Sequence, residues 1–287
     1  KFAGWLDVLG RHRERFREVQ NRCLVLQFGG AAGTLAALGS RGGAVARNLS
    51  EHLKLPLPQL PWHTHRDRLA EIATTLGLLT GTLGKIARDI SLHMQTEIDE
   101  LREPAEEGRG GSSTMPHKRN PVACAMILAA AIRMPGLVSI MLSAMIQEDE
   151  RGLGGWHAEW ETLPEIVCLT AAALRQLTTL IPRLEIDVQR MRENLELTRG
   201  LIFAEAITAA LGEKIDRSQA RELIEAASER ATKEKRHLRD VISDDQKIAK
   251  HLSSDQLDKL FDPRNYTGIA SEFIDAAIKN YKSHKNS

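Results

Sequence analysis

Twelve consecutive residues, 110–121, read Gly-Gly-Ser-Ser-Thr-Met-Pro-His-Lys-Arg-Asn-Pro. Gly108, Gly110 and Gly111 permit positive φ and let the main chain approach a ligand with no Cβ in the way. Ser112, Ser113 and Thr114 supply hydroxyls, Lys118 and Arg119 supply fixed positive charge, and Asn120 supplies an amide. Pro121 is suited to open the apolar helix that follows, and backbone amides at such a helix start favour anions. The segment therefore reads as a close-approaching loop for a negatively charged ligand. The plain alternative is a solvated Gly/Ser/Pro connection between helices.

Other clusters carry weaker chemical signals. Trp156 and Trp160 stand four apart with His157 between them, a spacing that staples helix faces as readily as it lines a site. His63 and His65 lack the further ligands that zinc needs and read as helix-start histidines; no metal site is expected. Residues 28–34 (Phe-Gly-Gly-Ala-Ala-Gly-Thr) look like a nucleotide loop but follow a helix-like stretch, without the strand-turn-helix setting of a dinucleotide fingerprint. Arg11, Arg13 and Arg15 are interrupted by Glu14 and read as a solvated helix face. Cys23, Cys124 and Cys168 are odd in number and widely spaced in apolar surroundings, as expected for reduced, buried thiols in a cytoplasmic protein.

Elements that could position these groups are helical. Aromatic residues are scarce, helix formers dominate, and no segment requires a sheet. From Trp62 to Glu103 there is no proline, and Leu69, Ile72, Leu76, Leu79, Leu83, Ile86 and Ile90 recur at spacings of three and four, a heptad-like seam. Gly77, Gly81 and Gly84 beside it cost about 1 kcal/mol each relative to alanine, which close helix approach would offset. Further long helices are expected over residues 4–38, over 122–147 with a kink at Pro135, and over 164–180. Beyond Pro182 the helices become shorter and more charged, with start signals at Asp216 to Gln219 and Ser253 to Gln256. A turn is expected at residues 262–265 and a frayed tail after Tyr281. The fold class is thus all-α, with one domain over 1–181 and a smaller helical domain over 182–287.

Composition narrows the partners. Lys plus Arg total 39 and Asp plus Glu 38 over 287 residues, so no overall field recruits nucleic acid or an anionic membrane. No uninterrupted apolar stretch reaches the roughly 18 residues of a membrane span.

Residues 111–121 match every fixed position of Gly-Ser-Ser-x-Met-Pro-x-Lys-x-Asn-Pro, and in this the chain resembles the fumarase/aspartase superfamily. Residues 28–34, 61–64, 151–160 and 200–206 point to its branch of 3-carboxy-cis,cis-muconate cycloisomerases. The resemblance implies a long-helix bundle, a homotetramer whose active sites gather segments from several subunits, a small polycarboxylate substrate, and no cofactor. It implies Ser112 as the proton-transfer group, assisted by Ser113 and Lys118. Thr114, Met115, His117, Arg119, Asn120 and Arg151 become substrate-binding candidates. It also implies an N-terminal domain and a histidine-bearing motif ahead of Lys1, so the chain is expected to be a fragment, inactive by itself. His65 and Asp149 depart from the branch's pattern, where glutamine and histidine are expected. Adenylosuccinate lyase, a sulfomuconate cycloisomerase and a non-catalytic helical scaffold are the alternatives.

Overall fold

The computed structural model describes residues 1–104, 110–111, 115 and 119–285. Helices dominate these residues, and their only strands are two-residue pieces, Leu101–Arg102 and Glu185–Ile186. The all-α expectation therefore holds. Contacts divide the chain into two compact units, one of Lys1–Thr96 with Leu101–Glu185 and one of Glu97–Glu100 with Ile186–Ser287.

The first unit is built from α1 (Phe2–Cys23), α2 (Gly42–Leu53), α3 (Asp67–His93), α4 (Val122–Ser143) and α5 (Gly155–Leu180). The seam read from the sequence falls on α3. Leu79, Leu83, Ile86 and Ile90 are buried, and Leu69, Ile72 and Leu76 are partly so. A Cβ on Gly84 would lie 2.5 Å from that of Ala131, and one on Gly77 would lie 2.9 Å from Val138 Cγ2. These pairs run in opposite directions along the two helices, so α3 and α4 are antiparallel and touch where glycine removes the obstacle. Gly81 meets nothing within 4 Å and has no such role within the chain.

α5 turns back along both helices. Ala73, Met134, Met141 and Ile166 form the buried centre, flanked by Leu76, Val138 and Leu169 among others. The Thr80 and Thr170 hydroxyls meet inside it at 2.9 Å. α1 lies antiparallel to α3, as the order of its contacts shows. Trp5 Nε1 donates to Asp89 at 3.3 Å, His12 Nε2 lies 2.8 Å from Thr82 Oγ1, and Cys23 Sγ donates to Glu71 at 3.3 Å.

Several sequence expectations need correction. α1 ends at Cys23, not near residue 38, because the next residues bond elsewhere: Leu26 N donates to Pro56 O at 2.9 Å, and Trp62 Nε1 donates to Leu26 O at 3.0 Å. α4 ends at Ser143 and is assigned as one helix through Pro135. α5 starts at Gly155 and carries Pro164 inside it. Pro164 and Trp160 both occupy exposed positions, where water can serve the carbonyl that proline leaves without a donor. Cys168 is exposed, whereas Cys23 and Cys124 are buried as expected. α4 is also, by length and composition alone, long and apolar enough to cross a membrane, although Arg133 interrupts its apolar run. Arg133 lies midway along it and pairs with Glu165 of α5.

The second unit holds α6 (Val188–Leu195), α7 (Ala204–Gly212), α8 (Arg217–Glu234), α9 (Leu238–Asp244), α10 (Gln246–Ala249), α11 (Ser254–Leu260) and α12 (Ala270–Lys285). Ile207, Leu211, Ile224, Leu238, Ile242 and Ile248 anchor its core. Both start signals are in place. Asp216 accepts from the amides of Ser218 and Gln219, and Ser253 forms a capping box with Gln256. Residues 263–265 form a 3-10 turn, and α12 continues past Tyr281 to Lys285.

Candidate active site

The bundle of the first unit has two ends, and the candidate residues divide between them. At one end α3 finishes and α4 begins, with the hydroxyl- and cation-bearing loop between them. Ser112, Ser113, Thr114, His117 and Lys118 lie outside the described residues. The neck of the loop is described. Asn120 donates to Gly110 O twice, through its backbone N at 2.8 Å and its side-chain Nδ2 at 3.2 Å. Gly110 has φ 75°, and a Cβ there would lie 3.2 Å from Asn120 O, so glycine is needed at the closure.

The start of α4 does not offer its amides to a ligand, contrary to the sequence expectation. Glu103 is buried, and its carboxylate accepts from Ala123 N at 3.0 Å and from Cys124 N at 2.9 Å. Val122 N donates to Asn120 O, and Ala125 N donates to Pro121 O. The first-turn donors that normally seek an anion are thus satisfied within the chain. Cys124, beside this carboxylate, has its thiol pKa raised, first by burial and then by the Glu103 charge. Arg119 is held outward by Glu185, with Nη1 to Oε2 at 2.6 Å, and Met115 is exposed.

At the other end α3 and α5 begin and α4 finishes. Here Arg151 uses its whole guanidinium. Nε donates to Ala31 O at 2.7 Å, Nη2 donates to Gly30 O at 2.6 Å, and Nη1 lies 3.2 Å from His63 Nε2. Arg151 therefore ties the glycine-rich residues 28–34 to the start of α3. His63 has its pKa lowered by burial, then by Arg151 and Arg66, with Glu159 opposing. A neutral ring can accept from Arg151 and leaves its other nitrogen as a donor.

Beneath this cluster lies a buried ion pair. Arg66 Nε donates to Glu159 Oε1 at 2.9 Å, its Nη2 reaches Oε2, and its Nη1 donates to His63 O at 3.0 Å. The pair fixes α5 against the entry to α3. Rings stack above it: Trp156 meets His63 and Trp160 edge-on at 5.1 Å each, and His157 lies 4.8 Å from Trp160. Trp160 remains 57% exposed. The two indoles thus do pack, while still presenting a face to solvent. Asp149 takes φ 43°, and its carbonyl accepts from Thr64 Oγ1 at 2.7 Å; the side chain of His65 is exposed.

Arg119 and Asn120 consequently share one end of the bundle, while Arg151 occupies the other. The 22 residues of α4 separate them by about 33 Å at the usual helical rise. The sequence motifs did not disclose Glu103 or Glu185. Glu103 lies twenty residues before the amides it serves, and no local pattern announces such a pairing. No group of His, Cys, Asp and Glu that could hold a metal occurs among the described residues.

Comparison with known proteins agrees with this architecture. The family described as "Lyase" matches residues 1–136, and "Adenylosuccinate lyase C-terminus" matches residues 200–277. The chain is 55% identical over 281 residues to a 3-carboxy-cis,cis-muconate cycloisomerase of Pseudomonas aeruginosa, covering 98% of this chain and 61% of that protein. It is 52% identical over 278 residues to the same-named protein of Bradyrhizobium diazoefficiens, covering 97% of this chain and 62% of that protein. A crystal structure of the 3-carboxy-cis,cis-muconate lactonizing enzyme from Pseudomonas putida superposes with a TM-score of 0.93 at 51% identity, covering 98% of this chain and 62% of that one. The chain thus spans about three fifths of the length of the relatives it matches.

Proposed function

We propose, since this chain belongs to the fumarase/aspartase superfamily, that it is the bundle and C-terminal portion of an enzyme that lactonizes 3-carboxy-cis,cis-muconate. The observation that carries this reading is identity above one half to a cycloisomerase along 98% of the chain. In the reaction one carboxylate oxygen attacks the diene and forms the C–O bond. The displaced electron pair moves to the carbon beside another carboxylate, giving an aci-carboxylate. Ser112 Oγ then delivers a proton to that carbon and recovers one from solvent. An alkoxide is tolerable only where cations and amides lower the serine pKa by several units, the role given to Lys118 and the loop backbone. Each donor aimed at the developing charge contributes about 3 kcal/mol of barrier lowering.

Three substrate carboxylates call for several positive partners, and two described candidates, Arg119 and Arg151, stand at opposite ends of the bundle. Shared sites are therefore part of the proposal. Antiparallel packing of copies brings the Arg151 end of one bundle to the loop end of another. The exposed apolar face of α4 and its exit, with Ile132 73% and Ile146 86% exposed, supports burial between copies in a soluble cytoplasmic homotetramer.

Loss of diene ultraviolet absorbance when the full-length protein meets 3-carboxymuconate tests the reading. Adenylosuccinate serves as the comparison substrate, because residues 200–277 match the C-terminus of that lyase. Turnover of adenylosuccinate alone would overturn the assignment.

A further inference from the structure

The loop that carries Ser112 and Lys118 is bounded on both sides by described residues, and these are joined in two layers. Asn120 closes on Gly110 O in the inner layer. In the outer layer the Glu103 carboxylate spans from the last residue before Pro104 to the amides of Ala123 and Cys124. Glu103 is 7% exposed, and both its oxygens are used by backbone donors. No cation among the described residues forms an ion pair with it, so the amides and the positive end of α4 are what hold this charge in place.

We infer that Glu103 is a positioning residue for the reactive loop: it is the built-in carboxylate ligand of the α4 start and sets where Asn120, and through it the loop, is held. A second consequence is selectivity. With these amides occupied, a substrate carboxylate is directed to the groups carried by the loop and cannot be diverted to the helix end. The inference deepens the proposed lactonizing function and rests on it for its catalytic readout.

The test uses Glu103→Ala and Glu103→Gln in the full-length protein. Glu103→Ala leaves two buried amides facing a carboxylate-sized space, which formate can fill. Displacement of reacting groups by about 1 Å costs on the order of a hundredfold, so a fall of that order in kcat for 3-carboxymuconate is expected, with a smaller change in KM. Added formate should restore kcat saturably and raise the Tm of Glu103→Ala, with no effect on the parent protein. Should Glu103→Ala fail to fold, Glu103→Gln carries the test. Its NH2 group replaces one of the two accepting oxygens and cannot accept, so Ala123 or Cys124 loses its own acceptor and should exchange its amide hydrogen faster, and kcat should fall at least tenfold.

Folded Glu103→Ala or Glu103→Gln with parental kcat overturns the inference. So does a fall in kcat for Glu103→Ala that formate leaves unchanged together with its Tm. If the parent protein does not turn over 3-carboxymuconate, the proposed function fails. The formate-dependent Tm and the exchange of the two amides still decide whether Glu103 ligates the helix start.

Discussion

His63 sits between two guanidinium groups, and His12 is buried on α1 beside Arg11 and Arg15; both imidazoles titrate below the ordinary value of 6.5. Burial is the first cause in each case. The unfolded chain therefore takes up these protons before the folded one does. Their contribution to stability is complete above 6.5 and is lost as pH falls from there through the folded values. Tm measured from about pH 8 to about pH 5 should drop more for the parent than for a His12→Gln/His63→Gln double variant. Parallel curves would show that neither ring matters. Ser112 belongs to the same scale, although it lies outside the described residues. Ser112→Ala should lower kcat by on the order of 10²–10⁴ while leaving Tm unchanged. Parental turnover by that variant would remove Ser112 from the reaction.

At the scale of elements, the contact between α3 and α4 makes a sharp comparison possible between two glycines on one helix. Gly84→Ala places a methyl group 2.5 Å from Ala131 Cβ and should destabilise the protein by about 1–3 kcal/mol. Gly81→Ala has free space within the chain and should be neutral or stabilising by up to about 1 kcal/mol. Urea unfolding of both variants checks the pair, and equal effects would refute the packing argument. The seam from Leu69 to Ile90 was readable because period and burial coincide, and Gly77 and Gly84, though not Gly81, marked where another helix comes near. The caps at Asp216 and Ser253 were readable because their partners lie two or three residues away. The end of α1 was not, since Trp62 and Pro56, which draw the chain off the helix, are distant in sequence. Pro164 misled for a related reason: a proline on an exposed helix face resembles a helix start until the preceding turn is seen. The loop motif was legible as a string, but its anchoring by Glu103, the pairing of Arg119 with Glu185, and the binding of Arg151 to Gly30 and Ala31 are long-range events with no local signature.

For the molecule as a whole, the decisive quantity is the separation of Arg151 from Asn120 along α4. If catalysis needs both ends, two damaged chains should repair one another. Mixing Ser112→Ala with Arg151→Ala subunits, unfolded and refolded together, should regain part of the activity that neither possesses alone. Complete absence of recovery, with mixed oligomers demonstrated by mass spectrometry, would rule out sharing. Ile132→Asp should in turn produce smaller particles by light scattering, because the exposed face of α4 would no longer bury. The length of α4 also works as a gauge. A seven-residue insertion would leave its sides facing almost as before, yet would lengthen it by about 10 Å. Changes of length should then be harmless at the surface turns of the second unit and ruinous inside this one rod, whatever residues are inserted.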